Sequence, residues 1–164
     1  MNYHKIEKFS TNNGKGIRCV LWCSGCSLHC KNCHNPETWN EKSGSEWSKE
    51  AEDELFSALS PNYINGITYS GGHPLEQYNI ETITKIVKRT KEKFPNKTQW
   101  LYTGYLWEDI KNLEIIKYLD VIIDGPYIDE LRNITLKFRG SSNQRIIDVQ
   151  KSLKEDRVVL WEDN

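Results

Sequence analysis

Apolar runs and helical stripes alternate along this chain, and that alternation limits the possible folds more than any single motif does. "IRCVLWC" (Ile17–Cys23) reads as a buried strand entered through a glycine turn, "NNGKG". "SKEAEDELFSALS" places Ala51, Leu55, Ala58 and Leu59 on one helical stripe, with Ser48 as its N-cap. "INGITYS" (Ile64–Ser70) is a second strand, ending in the glycine-rich "SGGHP". From Asn79 onward, Ile80, Ile83, Ile86 and Val87 form an apolar helical face opposite Lys85, Lys88, Arg89 and Lys91, and Pro95 ends that helix. "TQWLYTG" is a third strand, "LWEDIKNLEIIKYL" a helix, and "DVIIDG" a fourth strand closed by Gly125. In the tail, "TLKFRG" and "RVVLW" have strand character, and "QRIIDVQKSL" between them fits either state.

Strand and helix alternating at this spacing predict βαβ units and a mainly parallel sheet, an α/β fold. In such sheets functional residues gather at the C-terminal ends of the strands. Those ends carry the cysteine loop, "SGGHP", "YTGY" and "DGPY". Four unusual loops on one rim predict a site there. With no repeat, low-complexity tract or long linker, residues 1–164 are read as a single domain. That length is too short for a complete eight-fold barrel, so the expectation is an open, incomplete (βα) TIM-like barrel of about four to six strands.

The 22 basic and 23 acidic side chains leave a formal net charge of −1, which supplies no general attraction for nucleic acid or a membrane surface. No apolar run reaches the ~20 residues of a membrane helix. The opening "MNYHKIEKFST" lacks the apolar segment of a secretory signal, so a cytoplasmic location is expected. In that compartment structural disulfides are rare, and 5 cysteines packed between Cys19 and Cys33 point to metal or redox chemistry.

Cys26, Cys30 and Cys33 are spaced C-x3-C-x2-C within "GCSLHCKNCHNPETW". Cys19 and Cys23 lie in the first strand, where a thiol often serves as a small apolar side chain. Zinc is one candidate for the three loop thiols, with His29 or His34 as fourth ligand. Zinc ligands usually come as two separated pairs, however, and the other histidines, His4 and His73, are isolated in sequence. A cubane iron–sulfur cluster normally takes four thiolates, so three would leave one iron open. A third possibility is thiol redox chemistry at Cys23 and Cys26.

C-x3-C-x2-C after a first strand resembles the radical S-adenosylmethionine (SAM) superfamily. "CHNPETW" and "SGGHPL" resemble the sequence after the cluster motif and the glycine motif of glycyl-radical-enzyme activating proteins. "NYH", "NNGKGIRC", "WLYTGY", "DVIIDGPY" and "LKFRGSSNQRIIDV" look most like the branch that activates anaerobic ribonucleoside-triphosphate reductase. The similarity spans about residues 2 to 149 in ordered motifs. It implies a radical SAM fold with a [4Fe–4S] cluster held by Cys26, Cys30 and Cys33, the fourth iron being chelated by SAM. It implies that SAM is cleaved reductively to a 5′-deoxyadenosyl radical. That radical then takes hydrogen from a glycine of the large reductase subunit, with an electron donor such as flavodoxin. Asn32, Cys33 and His34 match positions lying against SAM. Gly71 and Gly72 would let backbone carbonyls reach its ammonium group.

Other roles are open at this stage. Asp124 is placed either to accept from ribose hydroxyls or to cap the following turn. Tyr102 and Thr103 are candidates for the pocket, and Arg139, Asn143, Gln144 and Arg145 for contacts with SAM or the reductase. Trp39, Trp47, Tyr105, Trp107 and Tyr127 are candidate docking contacts. Two positions depart from the family pattern. Asn32 stands where an aromatic is common, and His73 where an acidic residue commonly follows the paired glycines. If His73 takes that acidic role, it can hold the ammonium only when neutral. Competing readings are an activase of the pyruvate formate-lyase type, a zinc-stabilised interaction module and a thiol oxidoreductase.

Overall fold

A computed structural model describes residues 1–163. In chain order its elements are β1 (Asn2–Ser10), β2 (Arg18–Cys23), β3 (Ser45–Glu46), α1 (Lys49–Leu59), β4 (Gly66–Gly71), α2 (Gln77–Lys93), β5 (Thr98–Tyr102), α3 (Trp107–Ile110), β6 (Val121–Asp124), β7 (Arg145–Asp148) and α4 (Val149–Glu155). The strands form one seven-stranded sheet in the order β3-β1-β2-β4-β5-β6-β7. The inner four are parallel, with Arg18 opposite Gly66, Gly66 opposite Thr98, and Trp100 opposite Val121. β1 and β7 flank them as antiparallel strands. The expected α/β class and parallel core are present, in an open sheet with β3 and β7 at its edges.

The two-residue period of the strands sorts their side chains onto two unlike faces. Cys19, Leu21, Cys23, Ile67, Tyr69, Leu101, Ile122 and Ile147 point to the helix layer. There they pack with Leu55 and Leu59 of α1 and Ile83, Ile86 and Val87 of α2. Each such fully buried aliphatic stabilises the fold by about 1.5–3 kcal/mol relative to exposure. The opposite face carries a smaller cluster of Trp100, Val121 and Ile123, covered by Phe138, Ile146 and Trp161. Arg18, fully buried, closes one end of this second face. Its guanidinium donates to Thr68 Oγ1, Thr98 Oγ1 and the carbonyls of Lys15, Ile67 and Thr98 at 2.8–3.1 Å. Those five bonds match the five donors a guanidinium carries. Burial pulls its pKa down to about 10, which leaves it charged at neutral pH.

Ser48 caps α1 by accepting from the Ala51 amide at 3.2 Å, as expected. Three expectations are corrected. The helix expected from Leu106 breaks into α3 and a 3-10 turn, Glu114–Tyr118. A single α-helix would carry Ile115 about 140° round from Ile110. The break lets both stay buried against the sheet. In the tail, 135–140 is a loop, and of the run 157–161 only Leu160 bridges to Ile147. The undecided run between them divides into β7 and α4. Finally β1, to which no strand was assigned from sequence, is the longest strand of the sheet.

Candidate functional site

The loops after β2, β4, β5 and β6 meet around one cavity of about 730 Å³, within the range of roughly 300–1,000 Å³ usual for ligand sites. Cys26, Cys30 and Cys33 line it, and all three are free thiols and half-buried. His34, Gly71, Gly72, Tyr102, Thr103, Arg139 and Gln144 share its wall.

The cysteine loop is folded by its own backbone. The amides of Gly25 and Cys26 donate to the carbonyls of Thr38 and Trp39 at 2.6 and 3.1 Å, so the loop returns on itself. His29 and Asn32, each directly before a cysteine, have φ of 46° and 57°. Asparagine tolerates this left-handed region better than an aromatic does, which accounts for the residue found at position 32. Its side chain points outward and donates to Asp129 Oδ2 at 2.9 Å. Burial pushes the Cys26 thiol up, opposed by hydrogen bonds from the Leu28 and His29 amides.

Cys19 and Cys23 are fully buried among the aliphatics of the helix-side face. Burial raises their thiols to about 11 and about 12. Neither lines the cavity, and a Cys23–Cys26 redox pair has no reactive member at Cys23.

Gly71 and Gly72 hold the cysteine loop against β4. The Gly72 amide donates to Cys23 O at 2.9 Å and the His73 amide to Gly25 O at 2.8 Å. A Cβ on Gly71 would run into the Cys23 backbone, and one on Gly72 would lie 2.5 Å from Gly25 O. Only glycine allows this approach.

His73 is 2% exposed, and both its nitrogens are engaged, Nε2 with Thr103 Oγ1 at 2.7 Å and Nδ1 with Glu76 Oε1 at 3.4 Å. Because the ionised Glu76 carboxylate can only accept, the neutral ring is assigned as donating from Nδ1 to Glu76, and Nε2 then accepts the Thr103 hydroxyl proton. Burial lowers the histidine's pKa, with Glu76 opposing. The ammonium-holding role considered for His73 therefore meets a ring whose two nitrogens are already used. Glu76, which sequence reasoning missed, is 7% exposed and accepts from the Ser27 amide and hydroxyl at 2.8 and 2.7 Å. Burial raises its carboxyl, but the Ser27 and His73 bonds outweigh this and hold it below its ordinary value.

Asp124 lies behind the wall rather than on it. It is fully buried, accepts from Arg145 Nε at 3.1 Å and from Arg145 Nη2, and takes the Trp107 amide at 2.9 Å. The amide it accepts from belongs to the start of α3 and not to the turn that follows Asp124, so its observed partners differ from both roles considered for it. Gln144 ties its own loop together, accepting from the amides of Gly140 and Ser141 and donating to Gly125 O. Asn143 donates to Pro126 O at 2.8 Å. Among the aromatics, Trp107 is core at 3% exposure and unavailable to a partner. Trp47 packs on Tyr3, Tyr105 on His73, Trp39 on His29, and Tyr127 lines the cavity against His34.

The donor set suits a cubane. Three soft thiols share one cavity beside the paired glycines, and thiolates are the usual ligands of a cubane, one on each iron. Among the described residues no helix is long and apolar enough to cross a membrane.

Comparison with known proteins points to an iron–sulfur centre. A family model described as a 4Fe-4S single cluster domain matches residues 12–147. The anaerobic ribonucleoside-triphosphate reductase-activating protein of Enterobacteria phage T4 is 47% identical over 146 residues, covering 89% of this chain and 93% of that protein. The proteins of the same name from Vibrio cholerae and Escherichia coli K12 are 37% and 36% identical. They cover 89% and 88% of this chain, and 97% and 96% of their own lengths. With this identity over nearly the whole length, and with cysteine and glycine loops meeting at one cavity, the chain belongs to the family of anaerobic ribonucleoside-triphosphate reductase-activating proteins.

Proposed function

We propose that this protein is a cytoplasmic radical SAM activase, one (βα) domain whose open sheet is an arc of a barrel. Its substrate is a backbone glycine of the large subunit of anaerobic ribonucleoside-triphosphate reductase, from which a hydrogen atom is removed to leave a stored glycyl radical. Cys26, Cys30 and Cys33 would hold a [4Fe–4S] cluster, which, bound with SAM and given an electron by a donor of the flavodoxin kind, would supply the one-electron cleavage of the sulfonium to methionine and a 5′-deoxyadenosyl radical.

The chain's own residues have four tasks. Cys26, Cys30 and Cys33 hold the cluster. The backbone at Gly71 and Gly72 offers carbonyls to the SAM ammonium, from a turn whose missing Cβ atoms let it lie directly against the Cys23 and Gly25 backbone. Cys33 and His34 stand against the nucleotide, with Asn32 contributing its main chain, since its amide is turned to Asp129. Asp124 supports the site from behind, through Arg145 and the start of α3. The cavity walls exclude water and keep the target C–H in contact with the reacting carbon, which matters because a primary carbon radical attacks its nearest neighbour.

The observation that carries this reading is the meeting of three thiols and a paired-glycine cradle on one cavity at the ends of parallel strands, in a chain whose relatives are named activating proteins. The test mixes anaerobically reconstituted protein with SAM, a reductant and the large reductase subunit, and records electron paramagnetic resonance. A glycyl radical is expected with wild type and Cys23→Ala, and none with Cys30→Ala. If Cys23 is indispensable and Cys33 dispensable, the ligand assignment is wrong.

A further inference from the structure

Glu76 places a buried carboxylate against the cysteine loop, and neither the cluster motif nor the glycine motif includes it. Its Oε1 accepts from the amide and hydroxyl of Ser27, the residue directly after Cys26, and from His73 Nδ1. It opens α2, and the neighbouring Asn79 donates to Ser24 O and His73 O at 2.9 and 3.0 Å. His73 continues the chain of bonds to Thr103 at the end of β5. Three rim loops are thereby pinned to the first turn of one 17-residue helix. The pinned turn is also the one whose Leu28 and His29 amides reach the Cys26 sulfur.

Two physical consequences follow. Fixing the Ser27 amide fixes the turn that aims those two amides. A negative charge held out of water beside Cys26 also disfavours an added electron nearby, because screening is weak where the carboxylate is 7% exposed. Cluster potentials respond to local charge, sulfur hydrogen bonds and solvent exposure.

We infer that Glu76 is a positioning and potential-setting residue: it fixes the turn after Cys26 and, through its charge, keeps the cluster strongly reducing. The inference rests on the proposed cluster at Cys26, Cys30 and Cys33. A sulfonium is hard to reduce, so a charge that makes the cluster a better donor favours the proposed cleavage. Burial disfavours a protonated His73, so within the network the ring meets Glu76 as a neutral Nδ1–H donor and leaves the carboxylate's charge uncancelled there.

The test is a redox titration of anaerobically reconstituted wild type, Glu76→Gln, Glu76→Asp and Ser27→Ala, with iron content measured alongside. Wild type that assembles no four-iron cluster defeats the functional reading itself, independently of Glu76. Gln keeps an acceptor oxygen for all three bonds and removes only the charge, so the midpoint potential should rise in Glu76→Gln. It should stay near wild type in Glu76→Asp and Ser27→Ala. An unchanged potential in Glu76→Gln, or equal shifts in all three variants, overturns the inference. If Glu76→Gln assembles no cluster, recovery in Glu76→Asp supports the need for charge, and failure in both contradicts it.

Discussion

His73 couples the site to acidity through folding. Its folded pKa lies below the ordinary 6.5, so the unfolded chain takes up a proton before the folded one does as the pH falls. Stability therefore declines as the pH drops below about 6.5 and is regained above it. Glu76 faces the ring, and its own contribution, present above 4.5, is lost only in more acidic solution. Urea unfolding between about pH 8 and pH 5 should show this slope in wild type and a flatter one in His73→Gln. At position 32, φ of 57° makes Asn32→Gly harmless to the loop backbone, whereas Asn32→Val should cost about 1–2 kcal/mol in the same measurement. The three cysteines and paired glycines were legible because their spacing is local. Glu76 was not, because an isolated glutamate at a helix start looks like any solvated charge until the fold brings Ser27 to it.

The elements show the same division between local and distant signals. α1, α2 and the four parallel strands declare themselves by apolar period and caps, and Ser48→Ala should cost α1 about 1 kcal/mol by thermal or urea melting. β1 escaped because its pairing shifts register between Tyr3 and Lys5 and again between Glu7 and Ser10, which breaks the alternation a strand would display. The outward turn of Asp124 follows from strand parity. It shares the helix-side face with Ile122, so its carboxylate meets Arg145 and the Trp107 amide instead of the cavity. Parity likewise puts Cys19 and Cys23 among aliphatics and leaves the loop cysteines as the thiols that line the cavity.

The whole molecule keeps its chemistry and its strongest polar support at separate places. Arg18 and its five acceptors join the starts of β2 and β5. Arg18→Leu strips donors from the Lys15, Ile67 and Thr98 carbonyls and should cost about 3 kcal/mol or more. Iron bound per folded molecule should stay at the wild-type level, because the cysteine loop draws its bonds from Thr38, Trp39 and Glu76. Equal loss of stability and iron would mean that the two regions are one cooperative support. At the rim, the proposed SAM binding needs one iron without a protein ligand. Mössbauer spectra of protein reconstituted with isotopically enriched iron, taken with and without SAM, test that most directly. A single iron of the cluster is expected to change its signal when SAM is added. An intact cluster whose irons all keep their signals in saturating SAM would contradict the proposed binding.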